Sequence, residues 1–182
     1  MATRGTKESE QLRKNVEDQL NRLLQQLQDL EEMKDDMEQS EYTSSKEDTL
    51  QQMKEFEQTL DRLISGDVTL VSQLDSMRNA VKAYVTGACR DPNITKMFAN
   101  KSTAGLRSKL SSLEQDLKLG RITDDAFNSF AVEIVASLEK LGEALSPQEV
   151  SILEKSRRNL EGFTLAEGEI GMHVLEAAGK KK

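Results

Sequence analysis

Few side chains in this sequence could do chemistry, and they are widely separated. His173 is the only histidine and Cys89 the only cysteine. A zinc site needs several Cys or His ligands, and a catalytic triad needs a histidine held on a rigid scaffold. His173 instead follows Gly168 and Gly171 in a glycine-rich stretch, and no strand-and-helix pattern makes those glycines a phosphate-binding loop. We therefore expect no catalytic residue, no metal site and no cofactor, in a protein that is not an enzyme.

The many carboxylates indicate solvated helix surfaces. The chain has 32 Asp and Glu against 25 Lys and Arg, a net charge of −7, and a pI near 5.0. Acidic and basic residues are mixed along helical faces, where exposed ion pairs are the usual arrangement. No twelve-residue loop carries the alternating Asp and Asn ligands of a calcium site. The acidic balance also argues against nucleic acid as a partner.

Composition also bears on the cellular compartment. No apolar run approaches the roughly 20 residues that a membrane span needs, and the first ten residues contain no apolar signal core. A single cysteine is typical of a reducing compartment. We expect a protein of the cytoplasm and/or nucleus that has no membrane partner.

A narrow apolar stripe with 3–4 residue spacing is the strongest pattern near the N-terminus. It predicts an amphipathic helix over about 7–39, whose stripe needs a partner helix. That partner is either the second and third helices of the same chain or a second copy in a homodimer, and the sequence leaves both open. The stripe comprises Val16, Leu20, Leu23, Leu27, Leu30 and Met37.

Capping residues divide the next part of the chain. Ser44 and Glu47 have the spacing of a capping box and predict the start of a second helix. Gly66 is predicted to end that helix in a left-handed conformation, with Asp67 capping the third helix. A continuous bent helix is the alternative, because the heptad spacing survives the break.

The C-terminal part shows stronger start signals. Asp91 and Pro92 predict a short helix, residues 100–105 a linker, and Thr123 the cap of a further helix. Ser146 and Glu149 flank Pro147 as a capping box. Since no segment alternates with period two, we predict an all-α fold of antiparallel helices. It has a coiled-coil-like region at 7–100, a helical region at 104–163 and a flexible tail at 164–182.

Several segments resemble known families. Phe127–Ile134, Leu138–Gly142 and Leu145–Glu149 resemble the helical domain of ICAT, the small inhibitor of β-catenin and Tcf. The preceding sequence resembles the family of proteins with a leucine zipper and an ICAT-homology domain. That likeness lies at Gln25–Glu32, Ser65–Gly66, Thr69–Val71, Phe98–Ala99, Lys101 and Leu106–Arg107.

The resemblance implies a small ICAT-like helical domain at about 121–163 and a binding function. It implies docking on β-catenin, or another armadillo-repeat protein, and a tail that runs along a basic groove and modulates Wnt/Tcf signalling. No aromatic residue follows Phe163 in this tail, which departs from the family pattern. The implied partner-binding residues are Phe127, Phe130, Ile134, Leu138, Leu153, Glu167, Glu169, Ile170, Met172 and Val174. The alternative is a self-associating coiled-coil adaptor that does not bind β-catenin.

Overall fold

The computed structural model describes residues 4–157, and every regular element in that range is helical. Short 3-10 turns at Lys34–Asp36 and Val68–Leu70 connect the first three helices. The all-α prediction is confirmed. None of these helices is both long and apolar enough to cross a bilayer. The helices are α1 (Arg4–Met33), α2 (Gln39–Gly66), α3 (Val71–Val85), α4 (Pro92–Ala99), α5 (Thr103–Lys118), α6 (Asp124–Lys140) and α7 (147–157).

The first hairpin turns earlier than the sequence predicts. The α1 helix ends at Met33 instead of near residue 39, and α2 begins at Gln39. Ser44 and Glu47, the predicted capping box, lie exposed inside α2, so that prediction is wrong. Glu38 occupies the N-cap position of α2 without a side-chain cap.

Contacts between α1 and α2 explain this turn. Tyr42 is buried, and its hydroxyl donates a hydrogen bond to Glu31 Oε1 at 2.7 Å. Lys46 Nζ donates to the same oxygen at 2.6 Å. These bonds join the end of α1 to the start of α2, so the two helices run antiparallel. Tertiary contacts of this kind override the local capping pattern.

The N-terminal stripe is buried in a first core that belongs to the chain itself. This core is formed by α1, α2, α3 and the end of α4. Leu30 and Met37 are only half-buried, and Met37 lies beyond the end of α1. The structure therefore supplies the stripe with a partner in cis. Its buried members are Val16, Leu20, Leu23 and Leu27, together with Leu24, which lies outside the predicted stripe.

The break between α2 and α3 is real, but Gly66 does not make it as predicted. Gly66 is the last helical residue of α2, and its φ is not positive. Asp67 does cap the following turn, because its carboxylate accepts a hydrogen bond from the Thr69 N–H at 3.0 Å. The predicted linker at 100–105 is also too long, since α5 begins at Thr103.

The short helix α4 packs into both cores. Phe98 and Ala99 belong to the first core, and Ile94 belongs to a second core with α5, α6 and α7. Ser76 of α3 donates a buried hydrogen bond to the Ala99 carbonyl at 2.9 Å. The second core therefore starts within the predicted region 7–100, and the division into 7–100 and 104–163 stays a prediction.

Candidate functional site

The helix α6 lies at the centre of the C-terminal part. Thr123 Oγ1 caps it by accepting a hydrogen bond from the Ala126 N–H at 3.2 Å, and this predicted cap is present. Asp124 and Asp125 lie in its first turn and Lys140 in its last, which suits the helix dipole. The inner face of α6 packs into the second core through Ala131, Ile134, Val135 and Leu138.

The predicted partner-binding residues fall into three groups. Ile134, Leu138 and Leu153 are buried in the second core, so they support the surface and do not form it. Phe127 and Phe130 are half-buried at the edge of that core and reach the surface. The predicted tail residues lie outside the described part of the chain: Glu167, Glu169, Ile170, Met172 and Val174.

A capping box starts α7 as the sequence predicts. The Ser146 N–H donates to Glu149 Oε2 at 2.9 Å, and the Glu149 N–H donates to Ser146 Oγ at 3.2 Å. Each residue satisfies an N–H that the helix start leaves free. The box fixes the direction in which α7 leaves its connection to α6.

Arg107 of α5 holds this connection from outside. Its guanidinium donates to Glu149 Oε1 at 2.9 Å and to the Ala144 carbonyl at 2.8 Å. It also lies 3.6 Å from Glu143 Oε2. Because Glu149 is buried, its ion pair with Arg107 is better shielded from solvent than a typical surface pair. This role of Arg107 could not be predicted from the sequence, because a contact between residues so far apart leaves no local pattern.

Glu133 ties α6 to the turn between α3 and α4. Its carboxylate accepts hydrogen bonds from the backbone N–H of Arg90 at 3.0 Å and of Asp91 at 3.4 Å. Burial raises the pKa of Glu133, although these two bonds act in the opposite direction. The turn is thereby held against the outer side of α6.

Cys89 is a residue of the same turn, and its side chain is packed into the second core. Its Sγ is 3.2 Å from Thr95 Oγ1 and the side chain is buried. Burial raises the pKa of the Cys89 thiol to about 12. A thiol in this state is a poor nucleophile.

An open cleft of about 510 Å³ lies between the α3–α4 turn, α6 and α7. Arg90 of the turn and Lys155 of α7 contribute cations, and both are exposed. Val132 and Ile152 contribute apolar surface. In the described residues no group of three or more His, Cys, Asp or Glu side chains could hold a metal ion. The cleft therefore combines positive charge with apolar surface.

Comparison with known proteins concerns this same part of the chain. Residues 113–181 match the model of the family described as beta-catenin-interacting protein ICAT. The C-terminal region is therefore ICAT-like. The predicted resemblance to ICAT is confirmed, and the match includes the end of α5, all of α6 and α7, and the tail. No solved structure matches the chain. The ICAT-like region, defined as residues 113–181, excludes Arg107 and the Gly87–Arg90 side of the cleft.

Proposed function

We propose that this chain is a non-enzymatic interaction module whose ICAT-like region binds β-catenin or another armadillo-repeat protein. The observation that carries the proposal is the family match at residues 113–181, whose family is described by its interaction with β-catenin. The match includes two helices that are fixed to the second core and the acidic-apolar tail. These are parts that a binding protein needs, and they require no reactive side chain.

Two kinds of contact support this function physically. Armadillo repeats stack into solenoids with long concave surfaces. Leu119 and Val150 are large apolar side chains of the ICAT-like region that are 65% and 40% exposed, so helix packing against a repeat would bury them. Glu167 and Glu169 precede an apolar stretch in the tail. An extended peptide of that kind suits a basic groove.

A titration of the full chain into the armadillo region of β-catenin tests the proposal by isothermal calorimetry. Absence of binding at about 100 μM, which corresponds to about 5.5 kcal/mol of binding free energy, would contradict it. Val150→Glu should weaken binding, because it places a charge on the proposed contact. Val68→Glu is the matched control, since Val68 is 79% exposed and lies outside the ICAT-like region.

The tail is tested in the same way. Glu167→Lys with Glu169→Lys should weaken binding to a basic groove. The control is Glu47→Lys with Asp61→Lys, which changes the net charge equally at two exposed positions on α2. If the groove is occupied, the chain also displaces a Tcf peptide from β-catenin and thereby modulates Wnt/Tcf signalling. This action belongs to the cytoplasm and/or nucleus.

Self-association through the N-terminal stripe is the alternative function. It would require Leu20 and Leu27 to leave the first core, in which both are 0–1% exposed. We therefore favour packing of the stripe in cis and expect a monomer. Sedimentation equilibrium at tens of micromolar measures the mass directly, and a dimer would support the alternative. At about 10⁻⁵ M the experiment detects a dimer whose free energy of association is roughly 7 kcal/mol or more.

A further inference from the structure

The cleft between the α3–α4 turn, α6 and α7 has a lining that suits an acidic and apolar peptide. The side chains of Arg90 and Lys155 are exposed and form no ion pair with the described residues. Val132 and Ile152 are half-buried beside them. Glu133 is also in the lining, but its carboxylate is directed to the backbone N–H groups of Arg90 and Asp91. Arg90 and Lys155 are therefore available as donors to an incoming carboxylate, whereas the Glu133 carboxylate is already occupied by backbone donors.

We propose that residues 167–176 of the same chain occupy this cleft when no partner is bound. The described chain leaves the cleft at its edge, because Ser156 lines it and the description ends at Arg157. The segment that follows contains carboxylates that could pair with the two cations, and apolar side chains that could cover the apolar part of the cleft. Its carboxylates are Glu167, Glu169 and Glu176, and its apolar side chains are Ile170, Met172, Val174 and Leu175.

The connecting chain is long enough for this arrangement. Residues 158–166 span at most about 30 Å when extended, whereas packed helices lie about 10 Å apart. Gly162 and Gly168 allow the chain to reverse. A short linker also gives the tail an effective concentration in the millimolar range at the cleft. Weak contacts are therefore sufficient for docking within one molecule.

Pairing of opposite charges determines the orientation of the tail in the cleft. Glu167 and Glu169 pair with Arg90 and Lys155, and the apolar residues after them cover Val132 and Ile152. Docking in the cleft then competes with docking of the same tail on an armadillo groove. That consequence rests on the proposed function, whereas the contact within the chain does not.

Paramagnetic NMR on the full chain tests the contact directly. A nitroxide is attached at Val174→Cys, and the native Cys89 stays unlabelled because it is buried. The amide signals of Ala88, Ser129 and Val132 should broaden, and those of α1 should not. Reversal of both cations, Arg90→Glu with Lys155→Glu, should lower the ratio of docked to undocked tail about tenfold, because two exposed ion pairs are lost.

The control reverses two exposed lysines outside the cleft, Lys54→Glu with Lys118→Glu, and should leave the broadening unchanged. The tail in the cleft could belong to the same chain or to a second copy. A mixture of spin-labelled chain with unlabelled, isotope-enriched chain distinguishes these two sources. Broadening in that mixture would show that a second copy supplies the tail, which overturns docking in cis. Unbroadened cleft signals, or broadening that survives the reversal of Arg90 and Lys155, would overturn the proposal as well. These results do not depend on β-catenin, so they are separate from failure of the proposed function.

Discussion

Glu149 and Glu133 show how single carboxylates determine the position of the candidate surface. Each accepts hydrogen bonds from an element outside its own helix: Arg107 of α5 in one case, the Arg90–Asp91 backbone in the other. The capping half of the Glu149 role could be predicted, because it depends on a residue three positions away. The contact with Arg107 and the role of Glu133 could not, since both join residues about forty positions apart.

Glu149→Ala should lower the free energy of unfolding by about 2 kcal/mol. The change removes the Glu149 carboxylate from the Arg107 guanidinium, which keeps the Ala144 carbonyl, and leaves the Ser146 N–H without its acceptor. Bonds to charged groups contribute about 1.5–3 kcal/mol. Urea denaturation followed by circular dichroism measures the loss. Gln148→Ala, at an exposed position in the same turn, is the control and should change stability by less than about 0.5 kcal/mol. Equal effects of the two changes would show that the hydrogen bonds of Glu149 with Arg107 and Ser146 contribute nothing to stability.

Glu31 should make stability depend on pH. Burial opposes its ionisation, but the hydrogen bonds from Lys46 and Tyr42 outweigh burial and lower the pKa of Glu31 below its ordinary value of 4.5. The stabilisation is therefore present above the unfolded pKa and is lost as the pH falls through the folded pKa. Glu31→Gln should reduce the urea midpoint at neutral pH, and the difference from wild type should shrink below pH 4.5. Glu32→Gln is the exposed control, and a difference that is constant with pH would contradict the expectation.

At the scale of elements, helix identity could be predicted more easily than helix partners. Asp91 caps α4 by accepting hydrogen bonds from the N–H groups of Asn93 and Ile94, as its place before Pro92 predicts. The end of α1 could not be predicted in the same way, because Tyr42 and Lys46 fix it through contacts with Glu31. The spacing of the stripe in α1 is equally compatible with packing against helices of the same chain and with packing against a second copy. Only the burial of Leu20 and Leu27 distinguishes the two arrangements.

The helix α4 should couple the unfolding of the two cores. Phe98 is 4% exposed in the first core, and Phe98→Ala should destabilise the chain by about 3–5 kcal/mol. Fluorescence of the two tyrosines, Tyr42 and Tyr84, both buried among the N-terminal helices, reports the first core, and Cys89 thiol reactivity reports the second. Both probes should shift together along the urea axis, as in a single cooperative transition. Lys96→Ala on the exposed side of α4 is the control, and separate shifts of the probes would show that the cores are independent.

At the scale of the whole molecule, the ICAT-like region does not contain all of its own core. The match begins at residue 113, yet the second core also includes residues that precede it. Ile94 and Leu106 are both 0% exposed, and Leu110 is 5% exposed. Arg107, which holds the start of α7, also precedes the match. The N-terminal part is therefore a structural complement of the ICAT-like region.

This arrangement predicts that a fragment of residues 113–182 folds poorly by itself. It lacks four buried side chains of the second core, Cys89, Ile94, Leu106 and Leu110. The three aliphatic ones contribute about 1.5–3 kcal/mol each, and a typical domain has only about 5–15 kcal/mol of stability in total. A fragment of residues 86–182 retains them all and should show stronger helical circular dichroism and a sharper thermal transition. The substitution Arg107→Ala in the longer fragment should weaken only the packing of α7, because Ile94, Leu106 and Leu110 remain.

If the short fragment is as helical and as cooperative as the long one, the ICAT-like region has an independent core. Binding of β-catenin by the long fragment and not by the short one would then reflect direct contact with residues 86–112, and equal binding by two folded fragments would place the docking surface wholly within residues 113–182.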